Sequence, residues 1–177
     1  MKTQAAAERD TEGVSESGSA QSFDAFYSAL FVPLFRSMLL LLNGNSAEAE
    51  DLTHEAFVRV LERWETVSRM EAPTAYLFRT ALNLERSRLR RVLRRARWVV
   101  QERDEQLDFS EQAIERTEVL RILRGLSREQ REAIVLVDFL GLNSEEAGQI
   151  ASVTAEALRA RLHRARAAMR KELTEDE

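Results

Sequence analysis

The sequence predicts an all-α protein built as two small helical domains joined by a flexible linker. Three observations predict it. The 177 residues include only 6 Gly and 2 Pro, with 7% aromatics and many Leu, Ala, Arg and Glu, a composition that favours helices over strands. Apolar residues recur at steps of three and four, as in Leu158, Leu162, Ala165 and Met169, which stacks them on one helix face. Between residues 99 and 112 that rhythm stops and the chain turns acidic, QERDEQLDFSE, which reads as a linker. A hydrophobic content of 44% is enough for cores of real size on either side of it.

The chain contains no cysteine, so neither a disulfide framework nor a thiolate metal site is expected, which fits the cytosol. Polar residues follow Met1-Lys2, and no signal peptide is expected. The most apolar run, Met38 to Leu42, is too short to span a membrane. The net charge of −4 conceals segregation. From Leu84 to Arg97 there are seven arginines against the single acid Glu85, and from Leu158 to Lys171 six Arg or Lys and no acid. Acids collect at Glu8 to Glu16, Glu48 to Glu55, Gln101 to Glu118 and Glu172 to Glu177. Two basic islands in an acidic chain are two places where a polyanion binds cheaply.

Residues 1–21 lack apolar periodicity and read as a disordered leader. Ser22 caps a helix carrying Phe23, Phe26, Tyr27 and Leu30, and a second apolar run follows to Leu42. Pro33 lies between them, either at a kink or at the start of the second piece. Asn43-Gly44-Asn45 is a stop signal. Ser46 then caps a helix from Ala47 to about Trp64, apolar at Ala49, Leu52, Ala56, Phe57, Val60, Leu61 and Trp64 and acidic on the other side. Glu65 to Pro73 is a polar connector, and Thr74 caps the next helix.

That helix runs from Ala75 to about Arg97, with Tyr76, Leu77, Ala81 and Leu84 facing inward. Arg79, Asn83, Arg86, Arg90, Arg94 and Arg97 form one continuous stripe. At ~1.5 Å per residue it extends roughly 27 Å, long enough to track several phosphates of a duplex. Like charges this dense repel one another, so helix stability does not explain them. Pairing with the protein's own acids is the alternative.

The second domain begins near Ala113. Ile114, Leu120, Ile122 and Leu123 make a first helix, ended by Gly125. Ser127 to Gln130 is a capping box that opens a second helix, and Gly141 ends it. Asn143 to Glu146 is a second box, opening a short third helix as far as Ala151. Ser152-Val153 is the break before the basic helix Thr154 to Lys171. On that last helix Arg159, His163, Arg166 and Arg170 share a face beside the apolar one. A short helix, a turn and a basic helix is what a helix-turn-helix presents to the DNA major groove, and a plain solvated amphipathic helix is the alternative.

No catalytic constellation is evident. His54 and His163 fall in different domains, Glu145-Glu146 is explained by capping, and no glycine-rich phosphate loop exists. No enzyme activity, cofactor or metal is expected.

Four segments in order carry a family resemblance: AEDLTHEAF at Ala49 to Phe57, PTAYLFRTALNLERSRLRR at Pro73 to Arg91, LSREQREAIVLVDFLGLNSEEAGQI from Leu126 to Ile150, and LRARLHRARAAMR at Leu158 to Arg170. The chain resembles an extracytoplasmic-function (ECF) sigma factor of the sigma-70 family, which has sigma regions 2 and 4 only. The resemblance implies region 2 at 22–98, the linker at 99–112 and region 4 at 113–173. It implies promoter-specific transcription initiation with core RNA polymerase and promoter DNA as partners, an anti-sigma factor as a further partner, no membrane insertion and a cytoplasmic place of action, on the nucleoid when bound to polymerase. Asp51, His54 and Glu55 match the part of region 2 that docks on the clamp helices of the largest polymerase subunit. Arg79, Asn83, Arg86 and Arg90, with the connector before them, match the part that opens and holds the −10 element. Arg159, His163 and Arg164 fall where region 4 reads the −35 element.

Departures cluster in the second domain. The family pattern resembles EEIAEILGVSVGTVKSRL; here Ala147-Gly148 stand for Ile-Ala, Ala151-Ser152 for Leu-Gly and Glu156-Ala157 for Gly-Thr, and Ala160 replaces a Ser. Loss of the turn glycine predicts a changed turn geometry, and Glu156 predicts repulsion of phosphate. Two alternatives follow: a sigma-like interaction protein that titrates an anti-sigma factor, and a stand-alone helix-turn-helix regulator.

Overall fold

The computed structural model describes residues 22–98 and 118–175, and among them every regular element is helical. The leader and the linker lie outside the described residues. Helix α1 (Phe23–Leu41) starts where Ser22 accepts a hydrogen bond from the Ala25 N–H at 3.2 Å. It runs unbroken through Pro33, and the Ser37 hydroxyl donates to the Pro33 carbonyl at 2.8 Å. No second helix starts at Pro33. At 19 residues with mean hydropathy 1.4, α1 is long and apolar enough by length and composition to cross a membrane, a correction to the reading based on Met38 to Leu42 alone. Its apolarity has another explanation here, since Phe26, Leu34 and Met38 are fully buried in the bundle. Asn43 (φ 56°) and Gly44 (φ 89°) turn the chain.

Helix α2 (Ser46–Leu61) is capped by Asn45, not Ser46. Asn45 accepts from the Glu48 N–H at 3.1 Å and donates back to the Glu48 carboxylate at 2.9 Å, an exchange that a serine hydroxyl one residue later does not reach. The helix also ends three residues sooner than its apolar pattern suggests. Leu61 is exposed, and Trp64 opens a separate short turn, α3 (Trp64–Val67). Trp64 packs against Phe23 and Phe26 with ring centroids 5.4 and 5.0 Å apart, closing the end of the first bundle. Helix α4 (Pro73–Trp98) begins at Pro73 itself, so Thr74 sits inside its first turn and is not the cap. Proline suits that first position because its missing N–H has no helical partner to lose.

The second bundle comprises α5 (Glu118–Arg124), α6 (Arg128–Ile134), a π-helical turn at Val135–Phe139, α7 (Ser144–Ala151) and α8 (Ala155–Glu175). Both expected capping boxes form, at Ser127/Gln130 and Asn143/Glu146. Leu158, Leu162 and Ala165 bury the inner face of α8. Gly141 takes φ 71° after the π-turn.

The two bundles lie against one another, with α1 and α4 meeting α6 and α7. Arg131 is buried in the seam, and its guanidinium donates to the carbonyls of Leu123 (2.9 Å), Leu126 (3.0 Å) and, across the seam, Leu41 (2.9 Å). These carbonyls lie at or just beyond the C-terminal ends of α5 and α1, near the negative ends of both dipoles. Burial pulls the Arg131 guanidinium below its ordinary pKa, and the nearby Glu85 carboxylate opposes that. Beside it, Glu132 is 1% exposed and pairs with Arg86 of α4 at 2.5 Å, while Arg128 pairs with Glu85 of α4.

Candidate nucleic-acid interface

Three surfaces hold the residues singled out from sequence. The first is the outer face of α2, where Asp51, His54 and Glu55 are all exposed. They line one shallow groove of about 510 Å3 with Arg88, Arg91 and Val92 of α4. The groove is part acidic and part cationic. Arg88 reaches Glu48 at 3.5 Å and Asp51 at 3.7 Å, and Arg59 holds Glu55 at 2.7 Å. The ring of His54 lies 5.4 Å from that of Phe31 on α1, which explains its place on this face as an aromatic neighbour. At 52% and 44% side-chain exposure, the Arg59–Glu55 pair adds little stability and leaves the carboxylate open to a competing partner.

The second surface is α4, and its stripe is not uniform. Asn83 is exposed and lines a groove of about 600 Å3 with Tyr76, Thr80, Arg59, Arg63 and the acids Glu55 and Glu62. Tyr76, read from sequence as inward-facing, is half-buried and forms one wall of this groove. Its spacing from Thr80 and Asn83, four and then three residues, was the available signal. Arg79 is half-buried, and its Nε has no partner among the described residues. Arg90 is exposed and donates to the Ser87 hydroxyl at 3.2 Å, and Arg94 is exposed. Arg86 departs from the stripe. It donates to Glu132 at 2.5 Å and to the carbonyl of Ala151 at 2.9 Å, so the second bundle covers it. Arg86, Arg88 and Arg90 therefore do bond to the protein's own polar groups, whereas among the described residues nothing covers Asn83 or Arg94.

The third surface is α8 with the turn before it. Ser152 itself adopts the left-handed conformation (φ 60°, ψ 44°), and the Val153 N–H bonds back to Gly148 at 2.9 Å. Serine here takes the left-handed conformation that a glycine adopts without strain, at a cost of about 1–2 kcal/mol. Gly148 compensates for position rather than for dihedral: a Cβ there would sit 2.9 Å from the Val153 carbonyl oxygen. The pair Gly148 and Ser152 thus holds α7 tightly against the start of α8, where Thr154 Oγ1 accepts from the Ala157 N–H at 3.1 Å. Arg159, His163 and Arg164 are all exposed on α8. Arg159 meets Glu145 of α7 at 3.2 Å, and Arg166 pairs with Asp138 of the π-turn, which raises the Arg166 pKa further above its ordinary value. The structure therefore brings Asp51, His54 and Glu55 together, keeps Arg159, His163 and Arg164 on one helix, and divides the α4 set into open and covered members.

Comparison with known proteins agrees with this geometry. The family description "Sigma-70 region 2" matches residues 29–99, and "Sigma-70, region 4" matches residues 116–169. The chain is 30% identical over 162 residues to the RNA polymerase sigma-E factor of Streptomyces coelicolor, covering 88% of each chain. It is 28% identical over 156 residues to the ECF RNA polymerase sigma factor SigC of Mycobacterium tuberculosis, covering 86% of this chain and 83% of that one. Among solved structures, the fold resembles the sigma factor RpoE in complex with the anti-sigma factor NepR from Bartonella quintana (TM-score 0.70, 22% identity, 88% and 98% of the two chains). It also resembles CnrH in complex with the cytosolic domain of CnrY (TM-score 0.63, 24% identity, 91% and 93%). An all-helical pair of bundles, the second a helix-turn-helix, with both regions matched in order and near-complete coverage of the sigma-E relative, places this chain in the sigma-70 family as an ECF-type RNA polymerase sigma factor.

Proposed function

We infer that this sigma factor divides its work among the three surfaces: the α2 face docks on core RNA polymerase, α4 holds the −10 element and α8 reads the −35 element of the promoter. The observation that carries this reading is that Asp51, His54 and Glu55 stand exposed together on α2, while Asn83, Arg90 and Arg94 stand exposed along α4. Two exposed sets on different helices of one bundle let polymerase and DNA bind together. Phosphate contacts from the arginines position the chain, and base contacts specify the site. Asn83 sits in a groove with Tyr76, whose ring offers a stacking surface for an unpaired base.

The proposed division is region 2 at 22–98, an acidic linker at 99–112 and region 4 at 113–173, behind a leader at 1–21. The packed arrangement covers Arg86, so separation of the two bundles accompanies use of the whole α4 stripe. An anti-sigma factor is a fitting further partner, since the structural relative RpoE is in complex with the anti-sigma factor NepR. Members of this family are initiation factors and not enzymes, so the chain supplies recognition and polymerase the chemistry. It acts in the cytoplasm, on the nucleoid when bound to polymerase.

The reading is tested by mixing the purified chain with core polymerase and promoters from its source genome. Promoter-dependent transcripts are expected, and failure on every such promoter overturns it. A chain that only titrates an anti-sigma factor would not co-purify with polymerase. That alternative loses its motive, because Ser152 supplies the left-handed residue the turn needs. A stand-alone DNA-binding regulator would bind duplex tightly without polymerase, with affinity falling steeply as salt rises.

A further inference from the structure

Helix α8 presents an order of side chains that its net charge conceals. At about 100° per residue, Leu158, Leu162, Ala165 and Met169 form the inner column. Diametrically outside it run Glu156, Ala160, His163 and Ala167, all exposed. Arg159, Arg166 and Arg170 flank this outer column on one side and Arg164 on the other. Flanking cations meet the phosphate rows of a major groove, and the column between them meets base edges. In a helix-turn-helix the bases are reached from the first turns of the second helix. Glu156 is in that first turn, at the centre of the outward face.

Its carboxylate is uncommitted. Arg159, one turn further on, is near enough in sequence to pair with Glu156, yet it reaches back to Glu145 at 3.2 Å. No ion pair of Glu156 is found among the described residues. The next residue along the column is Ala160, which leaves the space beside the carboxylate open. An anion near the helix N-terminus is favoured by the dipole, so Glu156 need not weaken the helix. Its place between the cation columns, and not within them, keeps it off the phosphates.

We propose that Glu156 is a base-reading residue of this sigma factor that selects cytosine in the upstream promoter element; this rests on the reading of α8 as the −35 helix. The choice of base follows from what each presents in the major groove. Guanine shows acceptors at O6 and N7, and thymine shows the O4 acceptor and a methyl group. Adenine sets its N6 donor beside the N7 acceptor, whereas cytosine shows the N4 amino donor alone. An ionised carboxylate only accepts, so cytosine is the one base that meets it without an opposing lone pair. The substitution that looks like an obstacle to DNA is then a filter: it rejects sites whose contacted base offers an acceptor.

The test uses holoenzyme of core polymerase with the full chain, transcribing a promoter library randomised across the upstream element. Wild type is expected to show one position with a cytosine preference that depends on residue 156. Glu156→Gln, which keeps shape but can donate and accept, is expected to move that position towards adenine, and Glu156→Ala to flatten it, with changes on the order of 5- to 150-fold. A helix-stabilising role alone would lower activity evenly on all sequences. An even loss, or an unchanged preference at every position in both variants, overturns the proposal. His163→Ala, on the same outward column, distinguishes this inference from the −35 reading of α8. If it alters base preference while the Glu156 variants do not, only this inference fails. If neither alters it, the −35 reading of α8 fails with it.

Discussion

Glu132→Gln tests the seam between the two bundles. Glu132 is 1% exposed, and its carboxylate accepts from Arg86, whose side chain is 21% exposed, at 2.5 Å, with Arg128 at 3.7 Å. Glutamine keeps the shape and one acceptor oxygen but removes the charge. Arg86 is then left in the seam without a counter-ion, whereas Arg128 keeps Glu85. Removing one partner of a fully buried pair costs about 3–5 kcal/mol. The partial exposure of Arg86 and the remaining acceptor bring this nearer the ~1.5–3 kcal/mol of a charged hydrogen bond. The penalty falls on the packed arrangement only, because in separated bundles Glu132 and Arg86 are both solvated. The equilibrium should therefore move towards separation by roughly 10- to 150-fold. The chain has no cysteine, so cysteines introduced at the exposed positions Val58 and Ala168 give a clean label pair for spin-echo distance measurement or single-pair fluorescence transfer. Identical distance distributions for wild type and variant at neutral pH would refute the reasoning.

Three further outcomes are expected. Ser152→Gly should relieve the left-handed strain and stabilise the chain by about 1 kcal/mol, seen as a higher melting temperature by circular dichroism; an unchanged or lowered melting point would count against strain at that residue. Gly148→Ala should destabilise by roughly 1–3 kcal/mol, because the new methyl meets the Val153 carbonyl oxygen at 2.9 Å, and chemical denaturation checks it. Asp51→Ala with Glu55→Ala should weaken binding to core polymerase while sparing DNA contacts, and Arg159→Ala with Arg164→Ala should do the reverse. Pull-down and promoter binding, measured on both variants, give the answer; equal loss of both activities in both would point to misfolding.

Much of the chain was legible without coordinates because its signals are local. Apolar spacing of three and four located the long helices, and the Ser127 and Asn143 boxes fell where the caps form, since a cap depends only on side chains within three residues. The errors were local competitions: Asn45 outdid Ser46 as a cap, and Pro73 began a helix assigned to Thr74. At Ser152 a dihedral preference was overridden, because Gly148 lets the flanking helices close and packing of Leu158 holds the turn.

By itself, then, the sequence determined the helical class, the two basic islands, the order of the four motifs and hence the family. Only the tertiary structure decided which members of each charged row are available. Arg86 and Arg90 lie one turn apart on the same stripe, yet the first is bound to Glu132 and Ala151 and the second faces solvent. Glu132 is one acid among 30 in composition, and it is buried where Arg86 of the other bundle meets it. The physical reason is range. Periodicity and capping are set within a few residues, whereas pairing across 46 residues depends on how the two bundles come to rest against each other.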